Sequence, residues 1–241
     1  RNRNASPSTG ASPMTPSACM ILAAGFGTRM GALTQTRPKP LIPVAGRPLI
    51  DHALEQARGA GVGRIVVNGH YHADQMRAYL TDMPDVAFSE EQPVILDSAG
   101  GIRHALPLLK ARTIFTLNAD AVWSGPNALA TLVADWNPDT MDVLTLMVPQ
   151  SRAVGRQAGG DFARDAQGRP SWDKAGEVYT GAQILKAALL QGYPEGPFSL
   201  HDVWRAAMAR GRMVGTVHAG HWADVGHPDG IRLAEEMMTH V

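Results

Sequence analysis

A single cysteine, no surplus of charge of either sign and no long apolar run set the first limits on this 241-residue chain. Cys19, standing alone, excludes an intrachain disulfide framework and any zinc or iron–sulfur centre built from several cysteines. At the head of an apolar stretch it suits a small buried hydrophobe better than a nucleophile, and this usage fits a reducing cytoplasm. The 22 basic and 22 acidic residues cancel, so no global field draws the chain to nucleic acid or to an anionic membrane. Any anion binding must be local. No apolar run approaches the roughly 20 residues that span a bilayer, and a soluble protein is expected. The length allows one large α/β domain or two small ones.

Arg1 to Ser17 is rich in Ser, Pro, Asn and Thr and has no apolar h-region, so it is not a secretory signal. It reads as a disordered leader or an expression remnant, with Met14 a plausible native start. From residue 18 to 241 no linker separates autonomous units and no repeat is visible, so one domain is expected.

What is present begins with Met20-Ile21-Leu22-Ala23-Ala24-Gly25-Phe26-Gly27-Thr28-Arg29-Met30, followed ten residues after Arg29 by Lys39 in Arg37-Pro38-Lys39-Pro40-Leu41. An apolar strand runs into small residues that let backbone N–H groups approach an anion. Arg29 adds a planar fork of donors and Lys39 a point charge, two complementary ways of holding a polyphosphate. Neither common glycine-loop template fits. A dinucleotide fingerprint needs glycine where Met30 stands, and a Walker A loop needs a Gly-Lys-Ser/Thr that is missing.

Further along, Pro48 to Ala60 has a helical pattern, and Arg64 to Asn68 is a short β-branched run typical of a strand buried on both faces. Ala73 to Leu80 reads as a helix, Val86 to Ser89 as a strand, Gly101 to Leu109 as a helix and Thr113 to Asn118 as a strand. This alternation predicts an α/β fold, a mainly parallel sheet covered by helices with ligands beyond the carboxyl ends of the strands. From Gln150 to Gly176 the chain turns polar and glycine-containing, with the chemistry of a hairpin lid. A helix over about Leu200 to Ala209, a strand over Val214 to His218 and a last amphipathic helix over about Pro228 to Met238 complete the reading. The methionines and leucines of that last helix recur at core spacing.

Asp120 follows the strand Thr113 to Asn118, at the carboxyl edge of the expected sheet, and Asp224 lies between Trp222 and Gly226. Each also suits a helix cap or a turn. Ala99-Gly100-Gly101, opening a helix, suits either a close approach to a base or ribose or a plain helix start capped by Ser98. The nine histidines lack the spacing and carboxylate pairing of a zinc site and read as surface or capping residues.

The loop with its Thr28-Arg29 and Pro38-Lys39-Pro40-Leu41 resembles the signature of the sugar-1-phosphate nucleotidyltransferases. Within that family the chain resembles the N-acetylmuramate 1-phosphate uridylyltransferase branch in Ala99-Gly100-Gly101-Ile102, Gly160-Asp161-Phe162, Tyr179-Thr180-Gly181 and Phe198-Ser199-Leu200 with Trp204. The resemblance covers nearly everything from Ala18 to Glu236. It implies a Rossmann-like nucleotide-diphospho-sugar transferase fold, a mixed and mostly parallel sheet flanked by helices with a small β-rich sugar-binding lid. The nucleotide half would run over about 18–149 and the sugar half over about 150–241.

It also implies the partners, UTP by preference among nucleoside triphosphates and a sugar 1-phosphate, in cell-wall sugar recycling. The expected nucleotide site is Leu22, Ala23, Ala24, Gly25, Gly27, Thr28, Arg29 and Asn68 with Ala99, Gly100 and Gly101. The expected sugar site is Asn118, Gly160, Asp161, Thr180, Gly181 and Ser199. Mg²⁺ is the implied cofactor, on Asp120 and Asp224, which match the family's two aspartates. Catalysis falls to Arg29 at the β/γ-phosphates and Lys39 at the α-phosphate.

Four departures from the family pattern stand out: Ala119 and His227 for a usual glycine and threonine, His201-Asp202 for a usual asparagine, and the unfamiliar stretch Ser151 to Gly159. The last lies where a lid over the sugar would be, so a change there redirects sugar choice without changing the chemistry. Thymidylyltransferases for glucose 1-phosphate and guanylyltransferases for mannose 1-phosphate share the loop and are the alternatives. A non-catalytic nucleotide-sugar-binding regulatory module predicts missing cations or carboxylates, whereas all four are here. No hexapeptide-repeat extension follows, so no acyltransferase activity is expected.

Overall fold

The computed structural model describes residues 16–240; the leader expected over 1–17 falls almost wholly outside them. β1 (Ala18–Leu22) leads into the loop and a 3-10 segment over Thr28–Thr34. A second 3-10 turn at Lys39–Leu41 precedes a small hairpin of β2 (Pro43–Val44) and β3 (Arg47–Pro48). Then α1 (Leu49–Gly59), β4 (Ile65–Gly69), α2 (Ala73–Leu80), β5 (Val86–Glu90), α3 (Asp97–Leu109) and β6 (Thr113–Asn118) alternate as the pattern predicts. Helix α3 starts a turn earlier than expected, because Ala99 and Gly100 both donate their amides to the Phe198 carbonyl, which fixes the first turn from outside the helix.

Between Asp120 and Gln150, where no element is expected above, the chain forms β7 (Ala121–Trp123), α4 (Ala128–Asp135) and β8 (Val143–Val148). The Asn127 side chain accepts from the Ala130 amide and starts α4. The polar stretch that follows contains β9 (Ala153–Val154) and the expected hairpin, β10 (Phe162–Arg164) against β11 (Pro170–Trp172). Next come β12 (Val178–Lys186), α5 (Leu200–Ala209), β13 (Met213–Val217), β14 (Trp222–Asp224) and α6 (Pro228–Thr239).

Seven strands make one sheet in the order β13-β8-β12-β6-β1-β4-β5. Only β12 runs against its neighbours, so the sheet is mixed and mostly parallel. Its five inner strands are almost uniformly buried, as expected of a sheet with helices on both faces, while the edge strands β5 and β13 are mostly half-buried. One apolar cluster joins α1, α2 and α4 to one face, and a second joins α3 and α5 to the other. A third gathers Met30, Ile42, Val44, Val225, Ala234 and Met237, which seats α6 beneath the glycine loop. No described helix is long and apolar enough to cross a membrane.

Candidate active site

The site lies beyond the carboxyl ends of β1, β4 and β6. The loop leaves β1 at Leu22 and turns at Gly27, which has φ +64°. A Cβ there would stand 2.9 Å from Thr34 Cγ2 and 3.0 Å from Lys39 Cβ, so both space and conformation call for glycine. The Gly27 carbonyl accepts from the Met30 amide and the Thr34 hydroxyl, and the buried Met30 side chain anchors the turn.

Behind the loop stands a buried polar strut. Asn68, on β4, accepts from the Ala23 amide at 2.6 Å and donates to Glu91 Oε1 at 2.6 Å. Glu91 is fully buried and its other oxygen accepts from the Leu96 amide at 2.7 Å. Gly101 owes its identity to this strut, since a Cβ there would lie 2.4 Å from Glu91 Oε1.

Asp120 leaves β6 at the mouth of the loop, where Lys39 Nζ donates to its Oδ2 at 2.7 Å. β14 pairs with β7, which sets Asp224 opposite Ala121, and the Val225 amide donates to the Asp120 carbonyl at 3.0 Å. The two aspartates are thus held side by side from opposite ends of the chain. Burial raises the Asp224 carboxyl above the ordinary carboxylate range, and the negative charge of Asp120 adds to it, against Lys39, Arg156 and Arg29. The Arg29 guanidinium packs against Gly226, where a Cβ would come within 3.1 Å of it.

Two cavities meet here. The first, about 370 Å³, is lined by Leu22, Ala23, Ala24, Gly25, Gly27, Thr28, Arg29, Lys39, Asn68, Glu91 and Asp120 among others. The second, about 440 Å³, holds Asp161, Ser199, Asp224 and Arg156 under an aromatic wall of Trp172, Tyr179, Trp204 and Trp222. Leu22, Arg29, Asp97, Ser98, Asn118 and Asp120 line both.

The structure therefore gathers most of the sequence-derived residues and sets some apart. Ala99, Gly100 and Gly101 line neither cavity; the first two spend their amides on Phe198, while Asp97 (φ +60°) and Ser98 present the start of α3 to both cavities. In the sugar set, Thr180 is buried with its hydroxyl on the Leu146 carbonyl, Gly181 packs against Asn118, and Gly160 lies against Gly176. None of the three lines either cavity.

Glu91, Asp97, Arg156 and Trp172 are lining residues that the sequence did not single out. The doublet Glu90-Glu91 at the end of a strand was the available signal. Among the described residues no three or more His, Cys, Asp or Glu side chains gather into a metal cage. Two adjacent carboxylates facing a phosphate-sized space are nonetheless the donor set that Mg²⁺ takes when substrate phosphates and water complete its shell.

Residues 19–223 match the model of the MobA-like NTP transferase domain. The chain belongs to that family. As a MobA-like NTP transferase it shares 38% identity over 236 residues with the N-acetylmuramate alpha-1-phosphate uridylyltransferase of Caulobacter vibrioides, covering 93% of this chain and 98% of that protein. Its similarity to the protein of the same name from Neisseria meningitidis is 34% over 215 residues, covering 86% and 92%. Among solved structures, HddC from Yersinia pseudotuberculosis, complexed with GMP-PN, superposes with a TM-score of 0.73 at 22% identity over 92% of this chain and 99% of that one. That likeness shows the fold. The nucleotidyltransferase resemblance and the mixed α/β architecture expected from the sequence are those of the family.

Proposed function

We propose that this protein is a Mg²⁺-dependent sugar-1-phosphate nucleotidyltransferase that joins UTP to N-acetylmuramate 1-phosphate and releases pyrophosphate, in the cytoplasm where nucleoside triphosphates are held. The observation that carries this reading is the meeting of two cavities at Asp120, with Arg29 common to both, Lys39 in the first and Asp224 in the second. The names of the two curated relatives supply the base and the sugar.

The chemistry asks little of the protein beyond placement. A phosphate oxygen of the sugar 1-phosphate attacks the α-phosphorus of UTP, the bond from that phosphorus to the β-bridging oxygen breaks, and pyrophosphate departs with the electron pair. The attacking oxygen is already ionised at neutral pH, so no general base is needed and rate comes from alignment and charge stabilisation. Lys39, fixed by its bond to Asp120, is the cation assigned in this reading to the charge that develops at the α-phosphate. Arg29, at the junction, neutralises the leaving pyrophosphate. Asp120 and Asp224 would hold Mg²⁺, which supplies positive charge to the phosphate oxygens. The Asn68–Glu91 strut holds Ala23 and so the backbone against which the nucleotide lies.

The test is pyrophosphate release with Mg²⁺ across UTP, dTTP, CTP, GTP and ATP against the 1-phosphates of N-acetylmuramate, N-acetylglucosamine, glucose and mannose. Release confined to UTP with N-acetylmuramate 1-phosphate is the expected result. A different productive pair keeps the reaction and moves the protein to another branch; no release from folded, nucleotide-binding protein refutes the catalytic reading.

A further inference from the structure

The unfamiliar stretch between Ser151 and Gly159 holds a charge that the reaction above does not use. β9 pairs in parallel with β14, setting Ala153 beside Trp222 and Val154 beside Ala223. The next residue, Gly155, has φ +75° and lies so close to the Asp224 carbonyl that a Cβ would stand 2.6 Å from it. His227 donates through Nε2 to the Gly155 carbonyl at 3.0 Å and pins the turn from the other side. Arg156 is therefore delivered to a fixed place at the edge of the second cavity.

Its guanidinium is fixed as well. Nε donates to the Gly159 carbonyl at 3.1 Å and Nη2 to Asp161 Oδ1 at 2.8 Å, while Asp161 Oδ2 accepts from the Tyr179 amide. A guanidinium has five N–H donors, so three remain without a partner among the described residues. The side chain is 22% exposed, and aromatic rings flank the cavity beside it, with Trp172 and His201 in edge contact at 5.2 Å. A low-dielectric wall of this kind strengthens an ion pair formed against it.

The division of the two arginines identifies what Arg156 meets. Arg29 lines both cavities and packs against Gly226, next to the aspartate pair, on the side that the proposed reaction gives to the phosphates. Arg156 lines only the second, beside Asp161 and the aromatic wall and near enough to Asp224 to act on its charge, and in the proposed reaction that cavity takes the sugar. The remaining charged lining side chains there are carboxylates, so an anionic substituent on the sugar has Arg156 as its cation.

We infer that Arg156, held by Asp161, is the specificity residue that recognises a carboxylate carried by a substituent of the sugar ring. N-acetylmuramate 1-phosphate has such a group in its lactyl ether, and N-acetylglucosamine 1-phosphate lacks it; in naming that sugar the inference rests on the proposed function. The fork of a guanidinium suits a carboxylate bidentately, which a lysine would not reproduce.

The experiment compares wild type, Arg156→Met and Arg156→Lys with N-acetylmuramate 1-phosphate, with its lactyl carboxamide and with N-acetylglucosamine 1-phosphate. It reads equilibrium binding of each sugar phosphate as well as kcat/KM with UTP. Wild type is expected to prefer the carboxylate over the carboxamide by about 10- to 100-fold, the value of a charge-assisted hydrogen-bonded pair. Arg156→Met brings that ratio near unity, and Arg156→Lys restores part of it. Equal binding of carboxylate and carboxamide by wild type overturns the inference, as does an equal loss for all three sugars in Arg156→Met, which would make Arg156 a phosphate or packing residue. Binding that discriminates the carboxylate, with no turnover of UTP, would instead sink the proposed function and leave this inference standing.

Discussion

Removal of the Asn68 side chain tests whether the glycine loop is held from behind. Asn68 is 3% exposed and makes two bonds of 2.6 Å, from the Ala23 amide and to Glu91 Oε1. Asn68→Ala leaves a buried amide without an acceptor, worth about 1–3 kcal/mol, and takes from a buried carboxylate one of its donors, worth about 1.5–3 kcal/mol. Together these give a destabilisation of about 3–5 kcal/mol, read as a drop of about 10 °C or more in Tm for a domain of this size. Because the freed backbone is the part that faces the nucleotide, kcat/KM for UTP should also fall by about tenfold or more. Urea unfolding gives the first quantity and pyrophosphate release the second.

Asn68→Asp sharpens the test. It keeps an acceptor for Ala23 but replaces the amide that donates to Glu91 by a second carboxylate, so at pH 8 it should be at least as destabilised as Asn68→Ala. A cost below about 1 kcal/mol for Asn68→Ala, or wild-type stability of Asn68→Asp at pH 8, would refute the strut.

Three further outcomes are expected. Lys39→Ala should lose about 10²–10³ in turnover, the scale of one lost preorganised charge, with a far smaller change in Tm; near-wild-type turnover in a single-turnover assay would end its role. Gly27→Ala forces a Cβ against Thr34 and Lys39 at φ +64° and should cost about 1–3 kcal/mol by chemical denaturation, whereas Gly46→Ala, with positive φ but open space around it, should cost less. Stability should also fall with pH below 6.5. Burial holds both His52 and His218 below the usual imidazole range, so in that window the unfolded chain takes up protons that the folded one does not. Arg47 donates to His52 Nδ1 while Nε2 donates to the Val44 carbonyl, a neutral arrangement that protonation breaks. His52→Gln should flatten the dependence of Tm on pH between 7.5 and 5, and an unchanged slope would exclude His52 as its source.

How much of this was legible depends on how far each residue's partners lie along the chain. Ala73–Leu80, Thr113–Asn118 and Leu200–Ala209 keep the bounds expected from sequence, because the local burial pattern decides them, helped in the last by the Ser199 cap. Arg29, Lys39, Asp120 and Asp224 were legible through the resemblance, and the structure shows the reason for their spacing, with β14 pairing on β7 to bring the last aspartate to the first. Ala99-Gly100-Gly101 was visible as a small-residue run but not for its physical cause, since Phe198 and Glu91 lie outside it. Arg156 carried no local signal. Its position is set by a two-residue pairing of β9 with a strand some seventy residues later.

The seating of α6 beneath the glycine loop bears on how the enzyme comes into being. Met30 and Val44, from the first part of the chain, share their apolar cluster with Ala234 and Met237 from its last helix. During synthesis the loop emerges roughly two hundred residues before the helix on which it rests. A ribosome adds ~5–20 residues per second, so for roughly ten seconds or more the nascent loop has its glycines and cations but no α6 to pack against. The loop's full packing thus waits on a helix made long after it, since until α6 docks Met30 and Val44 lack the Ala234 and Met237 side of their cluster.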